Sequence, residues 1–149
     1  MSTEYNELKT GTENFIRQLN LWYEDNYVLS LFDFELVSLD AEEKSFCFLH
    51  KMKKVCINAL GAMHGGMIST LMDICLAAAA AAYTPGEKNV TQDIHLQFLK
   101  PVYFAEDVFV NVKVLHVGTR SISMSAQVIA NGEECVTAMS TYARTGKRY

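Results

Sequence analysis

A chain of 149 residues, half of them hydrophobic and a fifth charged, has globular composition, with length for one full hydrophobic core and not for two. Its formal net charge of -4 and pI near 5.5 exclude the broad basic surface by which nucleic-acid binders usually hold phosphates. The first thirty residues carry Glu4, Glu7, Glu13 and Glu24 and no long apolar run, so neither a leader nor a membrane span is expected, and the cytoplasm is the expected location. Cys47, Cys56, Cys75 and Cys135 form no CxxC pair, and His50, His64, His95 and His116 show no HxxxH or HExxH spacing. Disulfides, zinc and other metal sites are therefore not expected.

Phe15, Leu19, Trp22 and Tyr23 recur at helical spacing and predict an amphipathic helix over residues 13–26, suited to covering a sheet. Two short strands are expected over residues 31–39 and 44–50, separated by the turn-like Asp40-Ala41-Glu42-Glu43, with a loop following through Asn58. Residues 65–83 contain no proline, carry Met67, Ile68, Leu71, Met72, Ile74, Cys75 and Leu76, and end in the alanines 77–82. They predict one long, mostly buried helix, closed by Thr84-Pro85-Gly86, whose alanine end lets another backbone approach closely.

Beyond this helix the period changes from 3.6 to 2. Ile94, Leu96 and Phe98 alternate, followed by Val108 to Val114, Ile122 to Val128, and Val136, Ala138, Ser140 and Tyr142. Turn signals at Lys100-Pro101, Val117-Gly118 and Asn131-Gly132 divide four antiparallel strands, the last pair joined by an Asn-Gly hairpin. Without a βαβ rhythm the expected class is α+β: a sheet of five to six antiparallel strands wrapped around one central helix, as a single domain over residues 1–149.

The stretch from Asn58 to Gly66, running into the helix that holds Asp73, is where chemistry is expected. Two glycines at a helix start expose backbone N–H groups to a ligand, as stabilisation of a developing oxyanion in acyl transfer requires. Asp73 is the only acidic residue between Glu43 and Glu87 and lies in an apolar helix, where a carboxylate needs a partner or a function. Nine residues of helix advance about 13 Å and rotate about 900°, which puts Asp73 on the opposite side from His64. Two copies of the helix packed antiparallel about a two-fold axis would bring Asp73 of one beside the glycines of the other, so a site shared between subunits is expected.

Asn58, His64-Gly65-Gly66 six residues later, Asp73 nine further on, and Val90-Thr91 ahead of a strand ending Phe98-Leu99-Lys100-Pro101 together resemble the hotdog-fold thioesterase superfamily. The likeness is to the branch typified by the phenylacetic-acid-pathway thioesterases and thioesterase superfamily member 2. It covers roughly residues 58–142, including Gly118 and Arg120 where the family often has a Gly-Arg turn; residues 1–57 match only in general layout. The resemblance implies hydrolysis of an acyl-CoA to free acid and CoA, without a metal or redox cofactor. The expected assembly is a homodimer that associates into a dimer of dimers, with no nucleic-acid or membrane partner.

Carried over by position, Asp73 matches the family's carboxylate, a general base for water or a direct nucleophile, and water activation is favoured. Gly65 and Gly66 match the amides that polarise the thioester carbonyl. Asn58 and His64 match residues close to the thioester, and Thr91 a hydroxyl that positions water. Gln92 beside it has no assigned role. The acyl chain is expected between subunits, and Lys100, Arg120, Arg144, Lys147 and Arg148 are candidates for the nucleotide phosphates.

Taken singly, each residue has a plainer role: Asp73 as a salt-bridged or capping carboxylate, Gly65-Gly66 as a turn, His64 as a structural histidine, Asn58 as a loop brace, Thr91 as a strand former. The spaced set favours function, whereas Cys75, two residues past Asp73 and with no histidine at useful spacing, reads as core. A hydroxyacyl-thioester dehydratase would be expected to show a proline-glycine motif after its histidine, which His64-Gly65-Gly66-Met67 lacks. A non-catalytic acyl-CoA sensor would be expected to lose part of the set, and Asn58 and Asp73 are both retained. A purely structural oligomer leaves the lone Asp73 in its apolar helix unexplained.

Overall fold

The computed structural model of the protein describes residues 2–21, 28–104 and 107–148. Helix α1 spans Thr3–Leu21 and α2 spans Gly65–Tyr83. The strands are β1 (Asp33–Asp40), β2 (Ser45–Lys51), β3 (Glu87–Phe98), β4 (Asp107–Val117), β5 (Ser121–Ala130) and β6 (Glu133–Arg148). They form one antiparallel sheet in the order β1-β2-β4-β5-β6-β3, which places β3 at an outer edge.

The period-2 pattern explains how this sheet meets α2. Val108, Val110, Val112 and Val114 of β4, Ile122, Met124, Ala126 and Val128 of β5, and Val136, Ala138, Ser140 and Tyr142 of β6 all point inward and are buried. They pack on α2, where Leu71, Met72, Ile74, Cys75 and Leu76 are buried with most of the alanines. Each fully buried Leu, Ile or Met contributes about 1.5–3 kcal/mol, which accounts for the cohesion of this core. The helix is long and apolar enough to cross a bilayer, yet its apolar surface faces the sheet and α1. At the Asn131-Gly132 hairpin both residues have positive φ (51° and 76°), the conformation a tight two-residue connection demands.

Helix α1 begins ten residues earlier than the predicted start at 13. Its buried contacts are Leu8, Thr12 and Leu19, and the first two stand in a polar run that masks the periodicity. Trp22, Tyr23 and the predicted helix end lie outside the described residues. At Gly11 the helix crosses the alanine end of α2 so closely that an added Cβ would sit 3.0 Å from Ala82 Cα. Small residues on both helices permit that approach.

Strand β3 is not regular. Thr91 pairs with Tyr142 while Asp93 pairs with Thr141, so Gln92 is an extra residue in a β-bulge. On the α2 side of the sheet stand Asn89 and Thr91 before the bulge, and Ile94, Leu96 and Phe98 after it, with Thr91 and Phe98 left exposed.

Candidate active site

His64 takes an extended conformation (φ −58°, ψ 135°) and caps α2 through its backbone. Its N–H donates to Cys56 O at 2.8 Å and its carbonyl accepts the first helical bond, from Ile68 N–H at 3.0 Å. The amides of Gly65, Gly66 and Met67 therefore precede the intrahelical ladder, at the positive end of the helix dipole. Little crowds the Cα of either glycine. A Cβ on Gly66 would meet nothing within 4 Å, and one on Gly65 only the Phe98 ring, at 3.4 Å.

The loop before this helix end is braced by Asn58. Its Oδ1 accepts the N–H groups of Leu60 (2.9 Å) and Ala62 (3.2 Å), and its main chain exchanges bonds with Ala62 and Gly61. A groove of about 380 Å³ runs past this loop and Gly65, walled by Met63, Phe98, Lys100 and Tyr103. His64 is exposed beside it and makes no side-chain capping bond.

Eight residues further along α2, about 12 Å of helix rise, lies Asp73. The structure brings Thr91 to it: Thr91 Oγ1 donates to Asp73 Oδ1 at 2.7 Å. A second hydroxyl, not foreseen from the sequence as part of a site, arrives from β6. Tyr142 Oη lies 2.5 Å from Asp73 Oδ1 and 2.7 Å from the main-chain oxygen of the same residue. Thr91 and Tyr142 are direct partners in the β3–β6 ladder, so their side chains share the face that α2 covers. The available signal was a tyrosine in the inward stripe after Val136, Ala138 and Ser140, since a buried phenol normally finds a hydrogen-bond partner. Burial, and then the neighbouring Asp73 charge, push the Tyr142 hydroxyl well above the ordinary tyrosine range.

Within one chain the structure groups Asp73 with Thr91, and separately Asn58, His64, Gly65 and Gly66; the helix keeps the two groups apart. The basic candidates are also dispersed. Lys100 lines the groove and pairs with Glu133 Oε1 at 2.8 Å, whereas Arg120 is exposed in the β4–β5 turn. Arg144 pairs with Glu87 at 2.8 Å and donates to Gly118 O, holding the Glu87 carboxyl below its usual range. Lys147 and Arg148 are exposed at the end of β6. Cys75 is buried, and desolvation raises its thiol far above the range in which a thiolate forms, in keeping with a core role.

An antiparallel sheet wrapped around one long helix is the hotdog fold, and the solved structures that resemble this chain share it. The PaaI protein from the phenylacetic acid degradation operon of Escherichia coli superposes with a TM-score of 0.74 over 93% of this chain and 98% of its own, at 16% identity. A conserved protein from Pseudomonas aeruginosa gives 0.70 over 80% and 94%, at 24% identity. A hypothetical thioesterase from Streptococcus pneumoniae, solved with coenzyme A, gives 0.73 over 88% and 99%, at 20% identity. In sequence, residues 60–137 match the thioesterase superfamily, and the chain belongs to that family. Acyl-coenzyme A thioesterase 13 of Homo sapiens is 30% identical over 68 residues, 46% of this chain and 49% of that protein. The mouse protein of the same name is 28% identical over 78 residues, 52% and 55% of the two chains. The chain thus matches about half the length of these relatives.

Proposed function

We propose that the protein is an acyl-CoA thioesterase whose active site is completed by a second copy of the chain. The observation that carries this reading is the hydroxyl-held carboxylate of Asp73 on an apolar helix whose free N-terminal amides lie about 12 Å away. Family membership supports it, as do relatives that are acyl-coenzyme A thioesterases or were solved with CoA.

Antiparallel pairing about a two-fold axis sets Asp73 of one subunit opposite Gly65 and Gly66 of the other, giving two sites per dimer. Strand β3 offers the means. Its outer edge has no partner strand among the described residues, and Val90 and Phe98 on it are 55% and 52% exposed. Such an apolar, unpaired edge invites a second strand. Two dimers associate further in this proposal.

In the reaction, water gives one proton to the Asp73 carboxylate while its other hydrogen bonds to a lone pair of Thr91 Oγ1. The oxygen then attacks the thioester carbon. Negative charge builds on the carbonyl oxygen and is held by the Gly65 and Gly66 amides, each such donor worth about 3–4 kcal/mol in the transition state. Collapse breaks the C–S bond, and the proton held by Asp73 passes to the departing sulfur, giving acid and CoA thiol. Thr91 favours water over direct carboxylate attack because its oxygen is placed to orient that water. Asn58 and His64 flank the thioester, the acyl chain lies in the apolar groove, and Lys100 and Arg120 serve the phosphates. Water is the only co-reactant, with no cofactor.

The test is free-thiol release from short, medium, long-chain and aryl acyl-CoAs by the native protein and by Asp73→Asn, with assembly followed by sedimentation. Turnover that drops about 10²- to 10⁴-fold in the variant at constant assembly is expected for loss of a general base. Acyl-CoA binding with no thiol release from any substrate would overturn the enzyme reading and favour a sensor.

A further inference from the structure

We infer that Tyr142 is a positioning residue for this reaction: it holds Oδ1 of Asp73, leaving Oδ2 to take the water proton, and its hydrogen bond moves to the Asp73 carbonyl when the carboxylate becomes protonated. The inference rests on the thioesterase reading for its catalytic meaning and on the geometry for the rest.

Both hydroxyls that reach the carboxylate converge on one oxygen, Thr91 Oγ1 at 2.7 Å and Tyr142 Oη at 2.5 Å. Oδ2 receives no hydrogen bond among the described residues. A carboxylate saturated on one oxygen has its rotation fixed and presents the other as the basic site. Thr91 stands on the exposed edge strand, whereas Tyr142 is 2% exposed on an inner strand, so the tyrosine is the more firmly held of the two donors. Its burial keeps it a neutral phenol, hence a donor, throughout the working range.

Tyr142 has one proton; Oδ1 and the main-chain oxygen of Asp73, the latter at 2.7 Å, lie within its reach as acceptors, beside the Thr91 hydroxyl whose own proton goes to the same Oδ1. While Asp73 is ionised the charged oxygen is the stronger acceptor. Once Oδ2 carries the proton taken from water, Oδ1 weakens and the carbonyl becomes competitive. The phenol is satisfied in both states, so proton transfer leaves no buried donor without a partner. Cys75 is the other titratable group near Tyr142, and it stays neutral in its buried position.

The experiment compares native protein with Tyr142→Phe, which keeps the ring and removes the hydroxyl, by the pH profile of kcat and by NMR titration of the Asp73 carboxyl carbon. Loss of a charge-assisted bond is expected to lower kcat about 10- to 100-fold, with KM changed less than about twofold. The acid limb and the carboxyl titration should both move to higher pH, since the lost bond favours the charged form. Placing 3-fluorotyrosine at position 142, a stronger donor of nearly the same shape, should move both the other way, and this decides the matter if the phenylalanine variant does not fold. Unchanged limb and titration, with any loss of kcat tracking loss of folded protein, would overturn the inference and leave Tyr142 a structural residue. Absence of turnover in the native protein would instead sink the thioesterase reading, and the carboxyl titration would still decide the role of Tyr142.

Discussion

The backbone amide of Gly65 can be deleted without redesigning the helix. Gly65 is the first residue of α2, where proline is readily accommodated because that N–H has no intrahelical acceptor. Proline also constrains the residue before it to an extended conformation, and His64 already has φ −58° and ψ 135°. Gly65→Pro therefore removes one proposed oxyanion donor at little conformational cost. It also brings a Cβ to 3.4 Å from the Phe98 ring, so Gly65→Ala, which adds that Cβ and retains the N–H, is the control. Loss of one oxyanion donor corresponds to about 10²- to 10³-fold in kcat. For a chain of this size a change under 1 kcal/mol keeps Tm within about 4 °C. Thiol release and thermal unfolding, measured on both variants at constant assembly, check the expectation. A proline variant as active as the alanine variant would refute assignment of this amide to the oxyanion.

Gly11→Ala is expected to destabilise, because its Cβ would press on main-chain atoms of Ala82 at 3.0 and 3.2 Å. Overpacking against main-chain atoms, at about 2–3 kcal/mol, less a helix-propensity gain of up to about 1, leaves a net loss of about 1–2 kcal/mol, and Tm should fall by roughly 2–8 °C in a melting curve. His50 is fully buried, donates from Nδ1 to Asp33 O at 2.9 Å as the neutral tautomer, and has its pKa lowered by desolvation below 6.5. The unfolded chain binds the proton more tightly, so its contribution is complete above pH 6.5 and is lost as pH falls below it. In denaturant melts between pH 7 and 5, His50→Asn, whose amide can replace the Nδ1 donor, should show a shallower loss of stability than the native protein.

Central helix and sheet were legible because each has a strong, unbroken signal. Residues 65–83 lack proline and close on Thr84-Pro85-Gly86, and the valines of β4 alternate without a break. Asp73 stood out as one charge in an apolar helix, and Thr91 through its place in a recognisable pattern. Tyr142 was hidden because the partner of its hydroxyl depends on where α2 lies across the sheet, a property of tertiary packing. Leu8 and Thr12 were hidden by polar neighbours, so the start of α1 was misplaced. Gln92 carries no glycine, proline or asparagine to announce a bulge, and its role emerges only when the ladder is traced.

That bulge sets a frame for reading β3, much as a single inserted base does in a message. Upstream of Gln92 the odd-numbered side chains face the helix and downstream the even ones do, so one strand serves both Asp73 and the core beneath Ile94 and Leu96. Deleting Gln92 while keeping the lower half in place would turn Thr91 outward and detach it from the carboxylate, although every residue that touches Asp73 would remain in the chain. The hydroxyl at position 91 therefore has its chemical meaning only together with the plain amide beside it.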